Sequence, residues 1–131
     1  GLGYGDNTRA ALITRGLAEV VRYGIKKGGR FETFLGLTGI GDLVVTCSSE
    51  HSRNFQAGYQ IGLTGDAKTF IKENKKTVEG IRTCKVVFDD LKNYDDLQMP
   101  IVEATYQVLY QNKDPKEVIR NLMLRDLKQE Q

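Results

Sequence analysis

The stretch GDLVVTCSSEHSRN, residues 41–54, is the most polar connection between apolar segments, and functional side chains favour loops held by rigid elements. Asp42 lies between Ile40 and Leu43. A carboxylate there, if buried, must be paired, hydrogen-bonded or turned to solvent to offset its desolvation. On a helix Asp42 and Thr46 stand four apart and share a face. Arg53 and Asn54 begin the next helix, where unpaired backbone N–H groups and the helix dipole favour an anion. An arginine fork beside an amide is suited to phosphate. The same residues also fit plain structural roles: Asp42 as a cap or solvated residue, Ser52 as the next helix's N-cap, Arg53 as a surface cation. His51 has no acidic partner at an obvious spacing and reads as a bystander. The basic turn KENKKT reads as a solvated loop.

The first residues, GLGYGDN, look like a glycine-rich phosphate loop but fail two requirements of the dinucleotide fingerprint. No buried strand precedes Gly1, and Gly1, Gly3 and Gly5 alternate, with Asn7 in the next place. The simpler account is a mobile glycine run ending in Asp6, Asn7 and Thr8, each able to cap a helix starting near Arg9.

These side chains must be positioned by a small scaffold. A chain of 131 residues, 40% hydrophobic, is long enough for one domain with a real core and too short for two of ordinary size. Its net charge of +2 is the difference of 19 basic and 17 acidic residues, interleaved without a basic block, which gives no support to nucleic-acid or membrane-surface binding. No apolar run approaches the roughly 20 residues that span a bilayer, and there is no basic-then-apolar leader, so the chain reads as soluble and intracellular. Cys47 and Cys84 have no CxxC spacing and only one histidine accompanies them, which excludes a structural zinc site of thiols and imidazoles and leaves two buried, reduced cysteines. A first residue other than methionine suggests a processed or excised piece.

Periodicity predicts helices throughout. From Thr8 to Lys27 the residues Ala11, Leu12, Ala18, Val21 and Ile25 recur at helical spacing, and Gly28 with Gly29 supplies the stop. Thr33 can cap the short stretch FLGL, and IGDLVVTC reads as a further helix. After the SSEHS loop, RNFQAGYQIGL places Phe55, Tyr59 and Leu63 on one face. A short charged helix and a basic turn follow within LTGDAKTFIKENKKT, and then VEGIRTCKVVFDDLKNY aligns Ile81, Cys84, Val87, Phe88 and Leu91. Pro100 suits a first turn, with Ile101, Ala104, Val108 and Leu109 as the inward side. Pro115 does the same behind an acidic cap, with Val118, Leu122 and Met123 inward. No run alternates strictly enough for a half-buried strand, so the expectation is one all-α domain over residues 1–131 with about seven or eight helices.

Three segments, GLGYGDNTRAALITRGLAE, GLTGIGDLVVTCSSEHSRN and TVEGIRT, in this order and spacing, resemble the bacterial NAD(P)-dependent glycerol-3-phosphate dehydrogenases. The resemblance runs through MPIVEATYQVLY to DPKEVIRNLMLRDLK and is to the family's carboxy-terminal helical domain, of the 6-phosphogluconate dehydrogenase C-terminal-like class. It implies a partner Rossmann domain absent from this chain, NAD or NADP bound mainly there, and hydride transfer to dihydroxyacetone phosphate giving sn-glycerol 3-phosphate for glycerophospholipid synthesis. It also implies a cytoplasmic homodimer.

Carried over by position, the resemblance makes Asp42 and Thr46 supporting catalytic residues, with Asp42 orienting a catalytic lysine and the substrate. It makes Asp42, Ser52, Arg53 and Asn54 substrate-binding, the last two near the substrate phosphate, and Arg53, Thr77 and Glu79 cofactor-binding. Thr77 stands where valine is common, and Arg9 replaces a frequent lysine. The general acid/base lysine is expected about ten residues before Gly1, and without such a group within hydrogen-bond reach of the carbonyl the isolated chain is expected to be inactive. The glycine run becomes a connection into the long helix beside the site. A helical assembly module is the contrasting reading, and Asp42, Thr46, Arg53 and Asn54 together argue against it. A related dehydrogenase of another hydroxy compound is disfavoured by SRN and TVEGIRT.

Overall fold

The computed structural model describes the backbone of residues 1–29, 47 and 49–130, with side chains up to residue 125. Among the described residues there are six α-helices and no strand: α1 Asp6–Lys26, α2 Arg53–Thr64, α3 Ala67–Glu73, α4 Glu79–Asp90, α5 Pro100–Tyr110 and α6 Pro115–Glu130. A single 3-10 turn, Leu91–Asn93, follows α4. The all-α class expected from periodicity is what these residues adopt. The helices expected at FLGL and IGDLVVTC, with Thr33, lie outside the described residues apart from Cys47.

Local chemistry accounts for most boundaries. At the end of α1, Gly28 takes φ 97° and its N–H reaches the Ile25 carbonyl at 3.0 Å, while Gly29 N–H reaches Gly24 at 2.7 Å. This paired arrangement satisfies the last carbonyls and needs the left-handed residue that glycine supplies. Gly65, at φ 73°, closes α2 in the same hand. Asp66 caps α3 by accepting Thr69 N–H at 3.0 Å, and Asp114 accepts Lys116 N–H at 3.1 Å ahead of α6. The start of α1 corrects the sequence expectation. The helix extends back to Asp6 and stops at Gly5, whose backbone is extended, and no side chain caps it. Asp6 instead lies in the first turn, where its charge faces the positive helix end.

Helix α5 is the hub, packing against α1, α3, α4 and α6. Its Ala104 forms the core with Val118 and Leu122 of α6, and Leu12, Ile101, Val108 and Ile119 close around them. Phe88 of α4 stacks on Tyr106 of α5 with ring centroids 3.8 Å apart. Burial pushes the Cys84 thiol up to about 11, which leaves it inert beside the Val102 carbonyl. Both cysteines are free, with Cys47 half-buried. No described helix is long and apolar enough to cross a membrane.

Two expected inward stripes differ. In α2 the buried side chains are Ala57 and Ile61, whereas Tyr59 is 46% and Leu63 57% exposed. Both rows have helical spacing, and the packing of α2 against α3, α4 and α6 decides between them. The chain at Gly1 and Leu2 crosses α2 so tightly that a Cβ on Gly62 would lie 3.1 Å from Gly1 Cα. In α1, Ala18 and Ile25 are exposed, and the buried positions of its second half are Val21 and Glu19.

Glu19 turns inward because α5 needs it. The N-cap of α5 is Met99, buried and without an oxygen in its side chain, so the first N–H groups lack a local acceptor. Glu19, 3% exposed, accepts Ile101 N–H at 2.7 Å and Val102 N–H at 3.1 Å. Farther along α1, Tyr23 Oη donates to Asp90 at 2.8 Å, Lys26 pairs with Asp96 at 2.5 Å and Arg22 donates to the Gln98 carbonyl at 3.1 Å. The hydrogen bonds from Tyr23 and Lys26 hold the Asp90 and Asp96 carboxyls below the usual range.

Truncation by Glu19→Ala leaves two amides unmet and is expected to cost about 2–3 kcal/mol in urea unfolding. Burial raises the Glu19 carboxyl above its ordinary value despite these bonds. The folded protein therefore keeps this proton where the unfolded chain has lost it, so the contribution of Glu19 to stability declines as pH rises upward from about 4.5. Relative to Glu19→Gln, wild type should lose stability across that interval. A difference independent of pH contradicts the assignment.

Candidate functional site

Two helix amino ends meet at one edge of the domain. Ser52 caps α2, its Oγ accepting Phe55 N–H at 3.3 Å, and so sets the direction in which Arg53 and Asn54 leave the first turn. The N-cap of α4 is Val78, which has no polar side chain to offer. Asn54 fills that role from α2: its Oδ1 accepts Gly80 N–H at 2.9 Å. Arg53 Nη1 donates to the Thr77 carbonyl at 3.5 Å. Tyr110 Oη donates to the Ile81 carbonyl at 2.6 Å, tying the first turn of α4 to the end of α5.

The structure thus brings Ser52, Arg53, Asn54, Thr77 and Glu79 of the sequence-derived set together, around the starts of α2 and α4. Asp42 and Thr46 lie outside the described residues. His51 is exposed, and its N–H donates to Ser49 Oγ at 3.3 Å. The KENKKT turn is closed by Asn74, which accepts Lys76 N–H at 3.4 Å and donates to the Lys76 carbonyl.

Electrostatically the edge suits an anion. The two helix ends direct their dipoles' positive poles toward it, and the exposed Arg53 adds a full positive charge, opposed by the exposed Glu79 carboxylate in the first turn of α4. Beyond Thr77 and Glu79 the surface opens into a groove of about 510 Å³, along which Lys76, Arg82 and Lys85 outnumber Glu79 and Asp89. Arg53 and Asn54 stand outside its lining. Among the described residues no three of His, Cys, Asp and Glu gather to hold a metal ion. Sequence reasoning missed Gly80 as the partner of Asn54. The signal was the valine at the N-cap of α4, since a helix start without a polar cap needs an acceptor from elsewhere.

The capping role of Asn54 is separately measurable. Asn54→Ala should lower stability by about 0.5–1 kcal/mol and speed hydrogen exchange at the Gly80 amide, whereas Asn54→Asp, which keeps the oxygen, should not. Unchanged Gly80 exchange in the alanine variant contradicts it.

Residues 1–120 match the family described as NAD-dependent glycerol-3-phosphate dehydrogenase C-terminus. The chain is 54% identical over 130 residues to a glycerol-3-phosphate dehydrogenase (NAD(P)+) of Clostridium botulinum (strain Eklund 17B / Type B), covering 99% of this chain and 39% of that protein. A protein of the same name from Geobacillus kaustophilus (strain HTA426) is 51% identical over 130 residues, with 99% of this chain and 38% of the relative covered. A crystal structure of glycerol-3-phosphate dehydrogenase from Coxiella burnetii superposes with a TM-score of 0.83 at 35% identity, over 91% of this chain and 36% of that one. The chain therefore spans about two-fifths of the length of these relatives.

Proposed function

The chain belongs to the family of NAD-dependent glycerol-3-phosphate dehydrogenase C-termini, and from that membership we propose that it is the helical substrate domain of an enzyme reducing dihydroxyacetone phosphate to sn-glycerol 3-phosphate. The observation that carries this reading is the meeting of α2 and α4, where Arg53 and Asn54 are hydrogen-bonded to the Thr77–Gly80 segment. A guanidinium, an amide and two helix ends form a donor set for a phosphate dianion. Phosphate binding at this remote group orients the carbonyl for reaction, converting binding energy into alignment.

NAD or NADP takes Arg53, Thr77 and Glu79 as its contacts from this domain, Arg53 as a donor and the Glu79 carboxylate as an acceptor. When bound, that cofactor supplies the hydride. Asp42 and Thr46 support the reacting centre in this reading, and Ser52 fixes the α2 start. The proton for the new alkoxide comes from a lysine of the Rossmann half, so the activity belongs to the two domains together. Exposed Val20, Ile25, Tyr59 and Leu63 suit burial against that half or a second subunit of a cytoplasmic homodimer.

In the two-domain enzyme, Arg53→Ala should raise the KM for dihydroxyacetone phosphate by about tenfold or more, as expected for losing a charge-assisted bond. NADPH affinity should change less. Unchanged substrate kinetics contradict the assignment.

A further inference from the structure

We propose that Gly80 is a positioning residue for the anion-binding pair: its amide fixes which end of the Asn54 side chain faces the anion, and its lack of a side chain makes room for that contact. The proposal rests on the reading that Asn54 binds the substrate phosphate.

Two observations carry it. Asn54 Oδ1 accepts Gly80 N–H at 2.9 Å. An N–H can be met only by the oxygen of a carboxamide, so the bond fixes the polarity of the group and leaves Nδ2 as its donor. An asparagine free to flip offers an anion its oxygen as readily as its nitrogen, and the oxygen repels. The second observation is steric. A Cβ on Gly80 would lie 2.8 Å from Asn54 Oδ1 and 3.1 Å from Cγ. Any larger residue must displace the amide, although helical backbone at this position does not require glycine. Gly80 lies in the first turn of α4, with no positive φ. Alanine has the better helix propensity there. Glycine is thus the poorer residue for the helix and the fitting one for the neighbour.

The test uses the two-domain enzyme, with dihydroxyacetone phosphate and the unphosphorylated dihydroxyacetone as alternative substrates. Gly80→Ala should raise the KM for dihydroxyacetone phosphate by about tenfold, the effect of one hydrogen bond to a charged group, while kcat/KM for dihydroxyacetone stays within about twofold. A merely structural role would lower activity on both substrates alike. In the Gly80→Ala/Asn54→Ala double variant the loss should not exceed that of Asn54→Ala alone, because both changes remove one interaction. Asn54→Asp keeps the oxygen toward Gly80 and replaces the donor with a second oxygen, so its KM should rise above that of Asn54→Ala with folding intact. This variant serves as the independent check should Gly80→Ala fold poorly.

Normal KM in Asn54→Ala would remove the reading on which the proposal rests. Raised KM in Asn54→Ala with normal KM in Gly80→Ala would overturn the proposal alone. Additive losses in the double variant, or an Asn54→Asp enzyme that binds as tightly as Asn54→Ala, would also overturn it.

Discussion

A buried carboxylate organises this domain. Glu19 lies in the second half of α1 and gives both of its oxygens to the first free amides of α5, the helix that packs against four others. Desolvating a carboxylate is costly, and two short bonds to backbone N–H groups at the positive end of a helix offset part of that cost, burial still raising the Glu19 carboxyl above its ordinary value. The partnership is reciprocal, because Met99 leaves the amides without a local acceptor and the buried Glu19 supplies one. Glu19 therefore sets the height at which α1 crosses α5, and the contacts of Tyr23, Lys26 and Arg22 with the 90–98 connection follow from that placement.

The same device appears at the edge where function is proposed. Helix α4 also starts behind an apolar N-cap, and Asn54 of α2 lends its oxygen as Glu19 does for α5. Here the acceptor is exposed rather than buried, and its remaining donor belongs to a side chain beside Arg53. Capping one helix from another has a consequence that local capping lacks. It joins two helix amino ends at one edge and makes the orientation of the Asn54 side chain part of the fold.

Much of this was legible in the residues themselves. Gly28, Pro100, Pro115, Ser52 and the acidic residues before α3 and α6 mark boundaries through local chemistry, which a sequence displays directly. The family signatures named Ser52, Arg53 and Asn54 for the substrate and Arg53, Thr77 and Glu79 for the cofactor, and these five stand near one another at the starts of α2 and α4, while Asp42 and Thr46 lie outside the described residues. What the sequence hid depends on distant partners. Phe55, Tyr59 and Leu63 form as good a helical row as Ala57 and Ile61, and the packing of α2 against three other helices selects the smaller one. The partners of Glu19 are 82 and 83 positions away, beyond the reach of any local pattern. The atom that Gly80 accommodates belongs to α2, 26 positions earlier in the chain.

The most direct measurement of the central claim is hydrogen exchange of the two-domain protein with and without dihydroxyacetone phosphate, in the presence of NADPH. If the paired amino ends of α2 and α4 form one anion site, the substrate slows exchange in residues 53–56 and 79–82 together, and the unphosphorylated ketone does so far less. Protection confined to one of these segments, or equal protection by the unphosphorylated ketone, would contradict it.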